Sequence, residues 1–98
     1  MTELAALSAW YAAHCDGVWE HDHGVVIETL DNPGWRLLVD LRGTALEARH
    51  FDDVSAGDPS TNDWKVLRVR NARFEGMGDP SRLGEIIRGF VDWATASE

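Results

Sequence analysis

Lysine and arginine are absent from the first 35 residues of the chain. The same stretch holds six carboxylates, at Glu3, Asp16, Glu20, Asp22, Glu28 and Asp31. The formal net charge of all 98 residues is −8. Such a surface would repel a phosphate backbone, so nucleic acid is not expected as a ligand, and it would attract a basic partner. An acidic composition can equally serve solubility alone, and this explanation stays open.

Cysteine and long apolar runs are scarce as well. The single cysteine, Cys15, cannot form an internal disulfide, so an oxidising compartment is not indicated. No apolar run approaches the length of a membrane span, and no basic-then-apolar signal peptide opens the chain. We therefore expect a cytoplasmic protein that has no membrane partner. The length predicts a single domain over residues 1–98.

The strongest structural pattern is a β-hairpin in residues 25–41. Residues with strand periodicity lie on both sides of the turn Asp31-Asn32-Pro33-Gly34. In that turn, Pro33 presets φ, and Gly34 supplies the positive φ that a type II turn requires. Trp35 is in phase with the apolar residues of the second strand, and we therefore expect it in the core.

A helix is predicted near the N-terminus. Thr2 would cap it, and a stripe of Leu4, Leu7 and Tyr11 would face the core. Trp10 lies beside this stripe, where it would either flank the core or face a partner.

A second helix is predicted near the C-terminus, with Asp79 as N-cap and Pro80 at its first position. Its apolar stripe is Leu83, Ile86, Ile87, Phe90 and Ala94. Between the hairpin and this helix, strands are predicted at Leu46–Val54, Trp64–Arg70 and Arg73–Glu75, with a loop at 56–63, a turn at 71–72 and a flexible join at 76–78. The elements predict an α+β fold: an antiparallel meander sheet of four to five strands, with the N- and C-terminal helices packed on one face.

Cys15 is a candidate nucleophile or metal ligand. A reactive thiolate needs a helix N-terminus or a cationic neighbour, whereas Cys15 follows a predicted helix and precedes Asp16, so we expect a buried, structural cysteine. Cys15, His21 and His23 have a Cys-x5-His-x-His spacing that is not a recurring zinc pattern, although a weak surface site is conceivable. A small metal-dependent or thiol enzyme built on these three residues is the alternative function. No enzyme motif is present, and we expect no cofactor.

Acidic and aromatic residues concentrate in the connection after the first helix and in the hairpin turn. They are Asp16, Trp19, Glu20, His21, Asp22, Asp31 and Asn32. Tryptophan among carboxylates suits the capture of a protein surface rich in Arg and Lys, through cation–π contacts and charge pairing. We therefore predict a partner-binding surface here. Whether Trp19 faces the partner or the core stays open.

Two long motifs and several short ones carry a family resemblance. The long motifs are Cys15-Asp16-Gly17-Val18-Trp19-Glu20-His21 and Thr29-Leu30-Asp31-Asn32-Pro33-Gly34-Trp35; the short ones are Trp10-Tyr11, Gly43-Thr44, Phe74-Glu75-Gly76 and the closing Phe90 and Trp93. With these motifs, which span nearly the whole chain, the sequence resembles the immunity protein 53 family of bacterial polymorphic toxin systems. Val18 departs from the pattern, since many relatives carry Asp there, and this removes one acid from the predicted surface.

The resemblance implies a cytoplasmic, non-enzymatic protein that binds and neutralises a cognate toxin domain encoded in the same genome neighbourhood. It supplies no catalytic residues. The acidic surface fits a toxin that is a basic nuclease, whose phosphate-binding cleft the protein would cover. A homodimer through an open sheet face or an edge strand is compatible with this function.

Overall fold

The computed structural model describes residues 2–96 of the chain. The helices are α1 (Glu3–His14), α2 (Trp19–Asp22) and α3 (Leu83–Thr95), and the strands are β1 (Val25–Leu30), β2 (Gly34–Asp40), β3 (Val54–Asp58), β4 (Asp63–Arg70) and β5 (Arg73–Gly78). The five strands form one antiparallel sheet. The predicted α+β class, with helices at both ends of the described chain, is confirmed.

The strand order is β1-β2-β5-β4-β3, so the meander is not strictly sequential. β1 and β2 form one hairpin, while β3, β4 and β5 form a second antiparallel unit. β5 of the second unit pairs with β2, which leaves β1 and β3 as the edges of the sheet.

The third strand predicted at Leu46–Val54 is wrong. Residues 41–53 form an irregular connection from which Leu46 enters the core and Phe51 packs against it. β3 begins where that prediction ended, and it occupies part of the predicted loop at 56–63. The poor alternation of the segment reflects two isolated core contacts rather than a strand face.

α1 begins where the sequence predicts, with the Thr2 hydroxyl oxygen capping its first turn. The predicted core stripe is wrong in part, because Leu4 is 61% exposed whereas Leu7 and Trp10 are buried. The Trp10 ring packs edge-to-face on Phe90 of α3, with centroids 5.0 Å apart. α1 packs chiefly on α3, so this helix contact decides which side of α1 is buried.

α3 lies across one face of the sheet, and its predicted apolar stripe packs in or against the core. Glycines allow the close approach: a Cβ on Gly89 would lie 2.5 Å from a Leu67 methyl carbon, and a Cβ on Gly76 would collide with Ile86. Residues 76–78, which the sequence predicts as a flexible join, are therefore the end of β5, where small residues make room for the helix.

Two of the hairpin turns differ in how they agree with the sequence. Asn71 and Ala72, predicted as a turn, both have φ of 56°, the left-handed geometry of a tight two-residue hairpin. Gly34 has no positive φ, so the predicted type II turn is wrong. Gly34 instead begins β2, where a Cβ would collide with the carbonyl oxygen of Gly78 on β5.

α3 begins at Leu83, so Asp79 is not its N-cap. Asp79 is buried, and its carboxylate accepts hydrogen bonds from the Trp64 N–H at 2.9 Å, the Ser81 hydroxyl at 2.6 Å and the Arg82 Nε at 3.0 Å. These hydrogen bonds, chiefly the one from the Ser81 hydroxyl, hold the pKa of Asp79 well below its usual range. The Asp-Pro-Ser sequence thus ties the start of β4 to the entry of α3.

Candidate interaction site

Two carboxylates organise α2 and the turn before it. The Asp16 carboxylate accepts hydrogen bonds from the N–H groups of Val18 and Trp19, both at 2.9 Å. The Glu20 carboxylate accepts from the N–H of Asp16 at 3.0 Å and from that of Gly17 at 2.8 Å. Gly17, with φ of 91°, lets the chain reverse between α1 and α2. The segment is a reciprocal helix cap, so its acidic side chains have fixed positions.

These bonds favour the ionised form of both side chains. The backbone N–H groups of Trp19 and Val18 lower the pKa of Asp16. The pKa of Glu20 is lowered most by the backbone N–H of Glu20 itself, and further by the N–H groups of Asp16 and Gly17. Asp22 is exposed at the end of α2. We call Asp16, Glu20 and Asp22 the α2 acidic cluster.

Trp19 lies beneath the α2 acidic cluster and is only 6% exposed. Its indole N–H donates to the carbonyl of Arg42 at 2.8 Å, and its ring packs near those of Trp10 and His14 at centroid distances of 6.0 and 5.7 Å. The expectation that Trp19 binds a partner by a cation–π contact is therefore corrected. The residue attaches α2 to α1 and to the segment that follows β2.

His23 connects the end of α2 to the end of β2. Its Nδ1 lies 2.7 Å from the Asp40 carboxylate, which also accepts from Arg42 at 3.1 Å. Although burial raises the pKa of Asp40, the hydrogen bonds from Arg42 and His23 lower it more, to about 2. Sequence reasoning missed this group. The register of the predicted hairpin could have revealed it, because pairing of Val25 with Val39 brings Asp40 close to His23.

A shallow pocket of about 170 Å³ adjoins this group at one end of the sheet face opposite α3. Its lining residues are Asp22, His23, Gly24, Val26, Leu38, Asp40, Arg42 and Arg73. The register places Val26 and Leu38 on the sheet face that α3 does not cover. The α2 acidic cluster is thus continuous, through Asp22, with the open face of the sheet.

The predicted binding residues fall into two groups. His21 is exposed beside the α2 acidic cluster, while Asp31 and Asn32 are exposed in the turn between β1 and β2. The six residues of β1 separate the groups, which corresponds to about 20 Å of extended chain. The structure therefore does not gather all the predicted residues into one compact patch.

Elsewhere in residues 2–96, most carboxylates pair with cations. Ion pairs join Glu3 to Arg88, Glu28 to Arg36, Asp40 to Arg42, Asp53 to Arg70, Asp63 and Asp79 to Arg82, Glu75 to Arg68 and Arg73, and Glu85 to Lys65 and Arg82. None of these pairs involves the α2 acidic cluster. Within the described chain, its three negative charges therefore have no lysine or arginine partner.

The residues of the alternative enzyme have separate surroundings. Cys15 is exposed, not buried as predicted, and its thiol donates to the Tyr11 carbonyl at 3.3 Å. His23 contacts Asp40, whereas His21 is exposed on α2. Within residues 2–96, no three side chains among His, Cys, Asp and Glu are grouped as metal ligands. The structure thus does not unite Cys15, His21 and His23 in a metal site.

The fold and this site define a small α+β protein with a group of three carboxylates that have no lysine or arginine partner among the described residues, two of which are held by backbone N–H groups. Over residues 4–95 the chain matches the sequence model of immunity protein 53, and it belongs to that family. The family implies a role in neutralising a toxin by binding it, rather than by catalysis. No curated protein and no solved structure matches the chain. Across the described residues, no helix combines the length and apolar character that crossing a membrane requires.

Proposed function

We propose that the chain inhibits a cognate toxin domain, a basic nuclease of a polymorphic toxin system, by docking the α2 acidic cluster on its phosphate-binding cleft. The observation that carries the proposal is that these carboxylates have no cation partner within residues 2–96, where most of the other acids pair with arginine or lysine. His21 would lie within this interface, with Asp31 and Asn32 at its far margin. The inhibitor would act in the cytoplasm of the cell that makes the toxin.

The geometry favours an electrostatic interface. A nuclease cleft presents lysine and arginine to phosphate groups, and an array of fixed carboxylates offers the same cations an alternative anion. Because backbone N–H groups already hold Asp16 and Glu20, little side-chain freedom is lost when a partner binds. Trp19 contributes by fixing α2 to the body of the protein.

Asp22 provides the most direct test, because no hydrogen bond or ion pair of the described structure depends on its side chain. We expect Asp22→Lys to weaken binding to the cognate toxin domain by about 10- to 100-fold at low salt. The loss should shrink as ionic strength rises, since salt screens exposed charges. Titration calorimetry at two salt concentrations measures both effects.

Asp92→Lys is the matched control. Asp92 is also an exposed carboxylate outside the ion pairs described above, but it lies on α3. The substitution makes the same change in net charge, but at a position outside the proposed interface. It should therefore alter affinity by no more than about twofold. Equal losses for the two variants would show that only net charge matters and would remove the α2 acidic cluster from the interface.

A further inference from the structure

β1 is an edge strand whose outer backbone groups have no strand partner in the described sheet. The N–H of Asp40 donates to the carbonyl of Gly24 at 3.0 Å, which sets the alternation of hydrogen bonds along the hairpin. Every second residue from Gly24 onward therefore bonds to β2. The N–H and C=O groups of Val25, Ile27 and Thr29 point away from the sheet.

This edge lacks the features that usually prevent strand pairing. β1 contains no lysine, arginine, proline or positive φ, and its one charged residue, Glu28, is paired with Arg36 of the neighbouring strand. Val26 and Ile27, on opposite faces of the strand, are 47% and 38% exposed. β1 thus presents a regular six-residue edge with accessible apolar side chains.

The opposite edge is guarded. In β3, the register and the same alternation direct only Ser55 and Gly57 outward. Gly57 has φ of 74°, which distorts the strand, and Pro59 comes directly after the last residue of β3. A difference of this kind between two edges of one sheet favours β1 as the edge that accepts another strand.

Charge indicates what kind of strand would bind. Asp22 precedes β1 and Asp31 follows it, both are exposed, and neither takes part in an ion pair of the described chain. We propose that β1 pairs with an extended segment of the toxin that is apolar in its middle and carries lysine or arginine near both ends. This inference rests on the proposed function, and it joins the two separated groups of predicted residues into one linear site.

A second copy of the chain suits this edge less well. Each copy carries a net charge of −8. Antiparallel pairing of two β1 strands would set Asp22 of one copy near Asp31 of the other, so like charges would meet at both ends. A basic segment meets no such repulsion.

Hydrogen–deuterium exchange tests the pairing directly. In the free protein the amides of Val25, Ile27 and Thr29 should exchange rapidly, and saturation with the cognate toxin domain should slow them by about tenfold or more. The amides of Ser55 and Gly57 on the other edge should not change. If the toxin binds but the three β1 amides stay unprotected, β1 pairing is excluded while the proposed function stands.

Two proline variants supply a matched comparison. Ile27→Pro and Ser55→Pro each remove an outward-pointing N–H, so neither removes a bond within the sheet. Ile27→Pro should weaken toxin binding by about tenfold or more, and Ser55→Pro by no more than about twofold. Equal affinities, with both variants folded by circular dichroism, would overturn the inference.

Two other results would also overturn it. A wild-type chain that does not bind the toxin would remove the proposed function and this inference together. A free protein that sediments as a dimer with the three β1 amides already protected would show that a second copy occupies the edge.

Discussion

Two of the three carboxylates of the α2 acidic cluster bond to backbone N–H groups, whereas most carboxylates of the sheet and of α3 bond to arginine or lysine. Asp16 accepts two N–H groups at the start of α2, and Glu75 on β5 pairs with Arg68 and Arg73. Both arrangements fix the side chain and stabilise the local fold. Only pairing with a cation removes charge from the surface, so the three carboxylates of the α2 acidic cluster keep their negative charge, as do single acids such as Asp31 and Asp92 elsewhere in the described chain.

The difference shows that a net charge does not locate an interaction surface. Acidic residues occur along the whole chain, and the sequence alone does not show which of them are paired with cations. Once the fold assigns arginine or lysine partners to most of the others, three of the acids left without such a partner lie together around α2. Loss of the Trp19 contact that attaches α2, and changes of single carboxylates in either group, should therefore have different effects.

Removal of Trp19 should have the largest effect on stability. Trp19→Ala empties a buried site under the α2 acidic cluster and should lower the free energy of unfolding by about 3–5 kcal/mol. Tyr11→Ala is the control, because that ring also lies near Trp19, at 6.1 Å between centroids, but is 37% exposed. Urea unfolding measures both variants. Equal stabilities would contradict the assignment of Trp19 as the attachment of α2.

Asp40 should show an intermediate effect that depends on pH. Its folded-state pKa of about 2 lies below the usual value of an unfolded aspartate, so its ionised form stabilises the fold. That contribution is complete above about pH 4 and is lost as pH falls through about 2. Asp40→Asn should therefore be less stable than the wild type at pH 7, and the difference should narrow toward pH 2.

Thermal unfolding across this pH range measures the effect. Asp22→Asn serves as the control, because Asp22 has no bond to a cation among the described residues, and the stability of this variant should follow that of the wild type throughout. A constant difference between Asp40→Asn and the wild type from pH 7 to pH 2 would show that the charge of Asp40 does not stabilise the fold.

Local patterns predicted much of the fold. The α+β class, the first hairpin, the Thr2 cap and the apolar stripe of α3 all follow from periodicity and turn chemistry. The failures arose where distant elements decide. Gly34 and Gly76 are required by the approach of β5 and α3, not by the conformation of their own segments, and a single sequence does not show such approaches.

Only part of the site was predicted, because here too some features depend on distant residues. The acids around α2 were found because their concentration is visible in the sequence. The burial of Trp19 was not decided, because it depends on Trp10 and on a carbonyl that lies 23 positions further along the chain, at Arg42. The separation of Asp31 from α2 follows from the length of β1, which the hairpin pattern already contained.

The smallest loss of stability that we predict is at Glu28, and Asp22, where no loss is expected, is the comparison. Glu28→Gln and Asp22→Asn each remove one negative charge, but Glu28 is paired with Arg36 across the hairpin. Because both partners are partly exposed, Glu28→Gln should lower the free energy of unfolding by only about 0.2–1 kcal/mol. It should leave toxin affinity within about twofold, since the Glu28 charge is already neutralised.

Asp22→Asn should behave in the opposite way, with unchanged unfolding and weaker toxin binding that recovers as salt is raised. Urea unfolding and calorimetry of the two variants, in the same buffers, give the comparison. If Glu28→Gln weakens toxin binding as much as Asp22→Asn does, a carboxylate that is paired with arginine can still contribute to binding. The acids of the open sheet face would then belong to the binding surface together with those of α2.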